Sequence, residues 1–277
     1  MLRSMYAGVS GMKGFQTKLD VIGNNIANVN TIGYKKSTIN FQDLLSQNMS
    51  GGGANPMQVG LGSQTGAINV NHNPGSSMTT GVGTDLALMA DGFFVVQEPE
   101  GDERQYLTRA GQFTVTAEGN LVNPQGYNVM GFENEADAAD AGEVFDPADD
   151  ASPVVIDPLL YDSFRINREG EVIGKAADGT EAILFGLGIS NPANPTGLSK
   201  FGGSLYEMTT MASADGINIQ TVGDANTSVA SGMLEMSNVD LTEEFTEMIV
   251  AQRGFQANSR IISTSDEILQ EVVNLKR

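Results

Sequence analysis

His72 is the only histidine among 277 residues and sits in the polar run Asn71-His72-Asn73-Pro74. Imidazole is the side chain best suited to proton transfer near neutral pH. A nucleophilic triad or a multi-histidine metal site, however, needs partners at readable spacing, and none accompany this histidine. Cysteine is absent, which removes thiolate nucleophiles, thiolate zinc sites and disulfides together. No Gly-x-Ser-x-Gly, no phosphate-binding Gly-rich loop with Lys-Ser/Thr, and no Gly-x-Gly-x-x-Gly after a strand is present. Acidic side chains number 34 against 15 basic ones, so two carboxylates close in sequence say nothing about acid–base pairing. Residues 133–150 hold eight acids and no base, but lack the Asp-x-Asp-x-Asn-Gly spacing of a calcium loop. They read as a solvated loop at the outer edge of a domain. Asn48-Met-Ser50 and Asn226-Thr-Ser228 fit glycan acceptors, a motif short enough to arise by chance. We therefore expect no catalytic, cofactor-binding or metal-binding residues and no enzyme.

The chemistry that does stand out is hydrogen bonding by amides. Asn24, Asn25, Asn28 and Asn30 crowd the end of a segment whose apolar residues Leu2, Met5, Val9, Met12, Phe15, Leu19, Ile22, Ile26 and Val29 recur every three or four positions. That spacing predicts an amphipathic helix over residues 2–29. Amides placed in a helix interface set register through two-way hydrogen bonds; the alternative is a frayed end with capping asparagines. Gly8, Gly11, Gly14 and Gly23 each cost a helix about 1 kcal/mol relative to Ala, so packing must hold it. The glycines fit close helix approach, or a segment that stays unfolded until it meets its partners; the two readings are compatible. Gly33 suits a left-handed residue past the helix end.

The long element that must face this helix is the last one. From Leu241, steps of four and three give Leu241, Phe245, Met248, Gln252, Phe255, Ser259, Ile262, Asp266, Leu269 and Val273, a heptad seam. Ile261, Ile268 and Leu275 form a second apolar row, so the helix wants more than one neighbour. Gln252, Ser259 and Asp266, seven residues apart, interrupt one row of the seam.

Between the ends, residues 31–83 read as a linker or extended connection, with a short extended segment from Val59 through Val70, 84–215 as a β-rich domain and 216–237 as a return linker, with 1–30 and 238–277 forming the helical part. In the β domain the period becomes 2. Asp91-Gly92 predicts a hairpin-type turn before Phe93-Phe-Val-Val96. Phe113-x-Val115-x-x-Glu118-Gly119-x-Leu121 is echoed 51 residues later by Phe164-x-Ile166-x-x-Glu169-Gly170-x-Val172, two expected hairpins of one sheet system. The expected class is α+β: paired, coiled-coil-like terminal helices with a mostly antiparallel β domain inserted.

The run Leu19-Asp-Val-Ile-Gly-Asn-Asn-Ile-Ala-Asn-x-x-Thr-x-Gly-Tyr-Lys35 resembles the N-terminal signature of bacterial flagellar rod and hook proteins. Gly232-Met-Leu-Glu-Met-Ser-Asn-Val-Asp-Leu-Thr-Glu-Glu-Phe245 through Arg260 resembles their C-terminal one. Weaker similarity covers the middle (Gly92-Phe-Phe94, Leu107-Thr-Arg-Ala-Gly111-Gln-Phe113), with Ala90 and Ser204 replacing the family's usual glycine and asparagine. The match as a whole resembles the short hook proteins of Bacillus-like Gram-positive bacteria, and the run Met233 to Phe245 looks more like hook than rod.

This resemblance implies a structural subunit that polymerises into the curved hook tube transmitting torque. A distal rod subunit is the alternative, and a soluble helical adaptor a more distant one. The implied partners are other copies of the chain, rod and hook–filament junction proteins, the hook cap and the flagellar export apparatus. The implied location is the extracellular hook and basal body, reached without a cleaved signal peptide. The start of the chain has no uninterrupted apolar core or clear cleavage site, and no apolar run reaches the roughly 20 residues of a membrane span. A net charge of −19 argues against nucleic acid and anionic membranes. The expected assembly residues are Leu19, Ile22, Asn24, Asn25, Ile26 and Asn28 of the first helix, with Leu241, Phe245, Met248, Gln252, Phe255, Ile262, Ile268 and Leu269 of the last.

Overall fold

The computed structural model describes residues 2–49, 57–99, 104–133, 151–158, 160–176, 179–214 and 216–275. The acidic loop expected at 133–150 thus lies, from residue 134 onward, outside the described residues. The class is α+β, in two compact units. One comprises Met1–Val29, Lys36–Asn71 and Val239–Arg277; the other comprises Asn30–Lys35 and His72–Asn238. No helix among the described residues is long and apolar enough to cross a membrane.

The first unit is built on α1 (Leu2–Ala27) and α2 (Leu241–Leu275). They run antiparallel, Gly8 lying against Ile262 and Lys18 pairing with Glu247 at 2.9 Å. Two of the glycines are places of close approach. A Cβ on Gly11 would sit 2.7 Å from the Asn258 amide and one on Gly14 3.0 Å from the Phe41 ring, whereas Gly8 is in ordinary contact with Ile262. Gly23 has nothing within 4 Å. Asp240 caps α2: its Oδ1 accepts the N–H of Thr242 at 2.8 Å and of Glu243 at 3.4 Å. These bonds hold its carboxyl below the usual range. Glu243 and Glu244 in the first turn complement the helix dipole.

Residues 37–70, expected as a linker or extended connection, contain an antiparallel strand pair, Ser37–Asp43 with Ser63–Val70, whose register slips between Asn40 and Phe41; the second strand overlaps the short extended segment expected from Val59 through Val70. Neither strand has a fully buried face: alternation is limited to Ile39 and Phe41 on one, and Ile68 and Val70 are the large apolar residues of the other. Support comes from α1, where Phe15 meets Phe41 with ring centroids 6.2 Å apart.

In the second unit the long sheet runs Tyr161–Ile166, Glu171–Ala176, Glu181–Leu187, Asn128–Glu133, Phe93–Gln97, Gln105–Thr108, Leu205–Glu207, Ser199–Gly202, with every pairing antiparallel. Phe93–Gln97 is central because both its faces are apolar. Phe94 and Val96 enter one core with Phe113, Leu121 and Leu187, while Phe93 and Val95 enter another with Leu107, Met130 and Tyr206. The two echoed segments are hairpins of this sheet in equivalent register: Leu121 pairs with Val115, and Val172 with Ile166. Asp91-Gly92, by contrast, makes no hairpin. Leu86–Leu88 pairs instead with Val229–Ser231. Gly92, at φ +139°, is needed where a Cβ would sit 2.9 Å from Ile189.

Candidate functional site

In the helical unit the polar centre is Asn25, 1% exposed. Its Oδ1 accepts the Ser37 N–H at 3.0 Å, while Nδ2 donates to the Ser37 carbonyl at 2.9 Å and to Glu244 Oε2 at 3.2 Å. One amide therefore joins α1, the strand that begins at Ser37, and the first turn of α2. Burial raises the Glu244 carboxyl above its ordinary pKa, partly opposed by the Asn25 bond. Lys36 bonds Glu243 at 2.8 Å beside this centre.

Of the other expected assembly residues, Ile22 is buried, and Leu19, Ile26, Asn28, Met248, Ile262 and Leu269 are half-buried. Asn24, Leu241, Phe245, Gln252, Phe255 and Ile268 are exposed within the single chain. Asn28 bonds back to the carbonyl and side chain of Asn24, which closes the helix end locally. So Asn25 bridges elements, whereas Asn24 and Asn28 act as capping amides.

The face of α2 against α1 differs from the expected seam. Met248, Ile262 and Leu269 belong to it. Their companion row is Glu244, Ala251, Asn258 and Ser265, buried or half-buried, in place of Phe245, Gln252, Ser259 and Asp266, which are exposed. The reason is distance: a glycine-lined α1 draws α2 in close, and only small or hydrogen-bonding side chains fit. A Cβ on Gly254 would lie 2.5 Å from the Phe15 ring. The seven-residue spacing of Glu244, Ala251, Asn258 and Ser265 was a readable signal, but small and polar residues do not mark a seam on hydropathy alone.

The second unit holds a cluster that hydropathy also passes over. Lys35, Arg109 and Glu235 have side chains 0, 1 and 2% exposed. Lys35 Nζ donates to Glu235 Oε1 and, at 2.8 Å, to the Asn73 carbonyl. Arg109 donates to Glu235 Oε2 at 3.3 Å, and the Gly75 N–H reaches Oε1 at 2.9 Å. The Gly33 N–H donates to the Glu235 carbonyl at 2.9 Å. Gly33 is in the left-handed region, as expected, but not as a helix cap: α1 ends at Ala27, and a Cβ on Gly33 would fall 2.6 Å from the Ala110 nitrogen. Burial pulls the Lys35 and Arg109 pKa values down, opposed by Glu235.

His72 packs edge-on against Phe93 and Tyr206 at 5.5 and 5.6 Å. Burial, then the charges of Lys35, Arg109 and Lys200, lower its pKa to about 4, so it is neutral at physiological pH. It stands as an aromatic wall of the ionic cluster, with its ring among phenyl and phenol groups.

Models of three flagellar families match this chain: "Flagella basal body rod protein" over residues 5–35, "Flagellar hook protein FlgE/F/G D1 domain" over 87–174, and "Flagellar basal body rod FlgEFG protein C-terminal" over 230–275. The chain is similar to the flagellar basal-body rod protein FlgG of Bacillus subtilis, 47% identical over 287 positions and the whole of both chains. FlgG of Agrobacterium fabrum is 35% identical, covering 99% of this chain and all of its own. The hook protein FlgE of Borreliella burgdorferi is 28% identical over 446 positions.

Proposed function

The chain belongs to the flagellar rod and hook protein family of structural subunits, and from that premise we propose that it is the distal rod subunit. The hook assignment suggested by Met233 to Phe245 gives way on one observation. Alignment with the Bacillus subtilis rod protein needs only 287 positions for this 277-residue chain, at 47% identity. Alignment with the Borreliella burgdorferi hook protein stretches to 446 positions at 28% identity. Long insertions thus separate this chain from the hook relative and few from the rod one.

As a rod subunit the chain polymerises through its terminal helices. The α1–α2 pair is coiled-coil-like and amphipathic, and the apolar residues it leaves exposed are spent on neighbouring copies. Phe245, Ile249 and Val250 lie near the start of α2, and Ile261, Ile268 and Val272 farther along. Heterologous contacts of this type extend into an open helical tube when the rotation does not close. Asn25 sets the helix register, so every subunit offers these residues at the same height. Gln252, Ser259 and Asp266, exposed on the same helix, face neighbours or the channel. Inner rod, hook and export proteins are its partners, and the rod segment of the basal body is its location.

Purified chain assembled in vitro and imaged by electron microscopy tests the assignment. Short, straight tubes are expected; curved, polymorphic tubes would restore the hook reading. A discrete complex with another protein and no tubes in any salt would favour an adaptor. Basal bodies from a deletion strain should end at the proximal rod.

A further inference from the structure

Glu235 is the one carboxylate enclosed with the Lys35 and Arg109 cations among the described residues, and Asp91, 4.0 Å from Arg109, is largely in solvent. The groups that meet on Glu235 come from remote parts of the chain: Gly33 and Lys35, Gly75, and Arg109. Lys35 is drawn in further by bonds that do not involve Glu235. Its Nζ reaches the Asn73 carbonyl, and its own carbonyl accepts from Lys200 Nζ at 3.2 Å. Among the described residues, Glu235 is thus the enclosed carboxylate that pairs with both Lys35 and Arg109.

Two buried cations without a counter-charge are not a stable arrangement, because each loses its hydration and repels the other. Before Glu235 is in place, Arg109 can turn toward solvent and Asp91, but Lys35 cannot enter without adding a second charge. Docking of Asn30–Lys35 onto its unit is therefore conditional on the arrival of residue 235. We propose that Glu235 is a completion latch, which keeps the Asn30–Lys35 segment undocked until nearly the whole chain is available and then locks it. In a chain that emerges N-terminus first, the segment following α1 remains open until the return strand Met233–Glu235 pairs with Ser77–Thr79. Most of the hydrophobic core, including Leu86, Phe94, Leu107 and Phe113, precedes residue 235, and only Val229 and Leu234 of the return segment add to it late, so the charge of Glu235 is what ties Lys35 to the end of the unit.

The test uses the full chain and amide hydrogen exchange. Glu235→Gln keeps the shape and removes the charge. Expected are at least 100-fold faster exchange of the Gly33 and Gly75 amides and unchanged protection at Val95 and Leu107. Lys35→Met with Arg109→Met in the Glu235→Gln background removes the uncompensated cations and should restore Gly33 protection to within tenfold of the parent. Unchanged Gly33 exchange in Glu235→Gln would overturn the latch. If Glu235→Gln instead loosens the whole unit, the triple variant decides: recovery of protection supports the latch, and failure to recover shows that shape rather than charge closes the site.

Discussion

Replacing Asn25 by Leu removes one of the few polar groups fully enclosed in the helical unit. Three hydrogen bonds disappear: two with the Ser37 backbone, at 3.0 and 2.9 Å, and one to Glu244, at 3.2 Å. A net contribution of about 1–1.5 kcal/mol for each, with about 1–3 kcal/mol for desolvation of the deserted Glu244 carboxylate added, gives roughly 4–7 kcal/mol. Leu fills the space, so a cavity contributes little. Urea unfolding followed by far-UV circular dichroism reads the helices directly, and the midpoint should fall with little change in slope. Asn25→Asp is the sharper probe. It retains an acceptor for the Ser37 N–H, gives up both donations, and sets a carboxylate against Glu244. Both carboxyls would then titrate above their unfolded values. The stability they confer as acids is present at low pH and lost as pH rises through their folded pKa values. Asn25→Asp should therefore be weakest at neutral pH and recover on acidification, whereas Asn25→Leu should not recover as fully. Adding Glu244→Leu to Asn25→Leu should return part of the loss, because the deserted charge is gone. A loss below about 0.5 kcal/mol in Asn25→Leu, the range of an ordinary surface change, would refute the role given to this amide.

Three further expectations follow from the same geometry. Phe255→Asp leaves the second unit folded, as seen by near-UV circular dichroism, but abolishes tube formation, since a charge buried between subunits costs several kcal/mol; loss of the near-UV signal would sink the division of labour. Gly111→Ala places a Cβ 1.7 Å from the Leu86 carbonyl, in a stretch where the Leu86 N–H also bonds the Gly111 carbonyl. It should destabilise the second unit by at least about 3 kcal/mol, read as a lowered midpoint in denaturant. His72 has a folded pKa of about 4 against 6.5 unfolded. Its contribution is therefore complete above pH 6.5, declines as pH falls toward 4 and is constant below. That contribution is up to about 3 kcal/mol, and less to the extent that solvent reaches the ring. His72→Phe should flatten the stability profile across that window.

Both long helices and the central strand were legible because their signals are strong. Leu2 to Ile26 keep one helical period, and Phe93-Phe-Val-Val96 is a continuous apolar run. The echoed hairpins were legible because Gly119 and Gly170 punctuate equivalent positions. What escaped was of two kinds. Ser37–Asp43 has only Ile39 and Phe41 to mark its alternation and no fully buried position, so it escaped, while Ser63–Val70 is legible only as a short extended segment and not as its partner. The companion row Glu244, Ala251, Asn258 and Ser265, and the cluster Lys35, Arg109 and Glu235, are defined by partners remote in sequence, and charge or small size does not advertise burial. Asn25 was visible as unusual, yet only the position of Ser37 separates it from Asn24 and Asn28.

The interlocked glycines of the helix pair have a mechanical consequence. Gly254 receives Phe15 and Gly11 receives Asn258, so each helix carries a notch filled by the other. Slippage by one helical turn, about 5.4 Å, would bring Phe15 from Gly254 toward Val250 and Ala251 or toward Ala257 and Asn258, positions where a side chain already occupies the notch. The pair therefore resists axial creep by steric interlock, which does not weaken with salt as an ion pair does. Within each subunit the two helices thus keep one axial alignment under tension or compression.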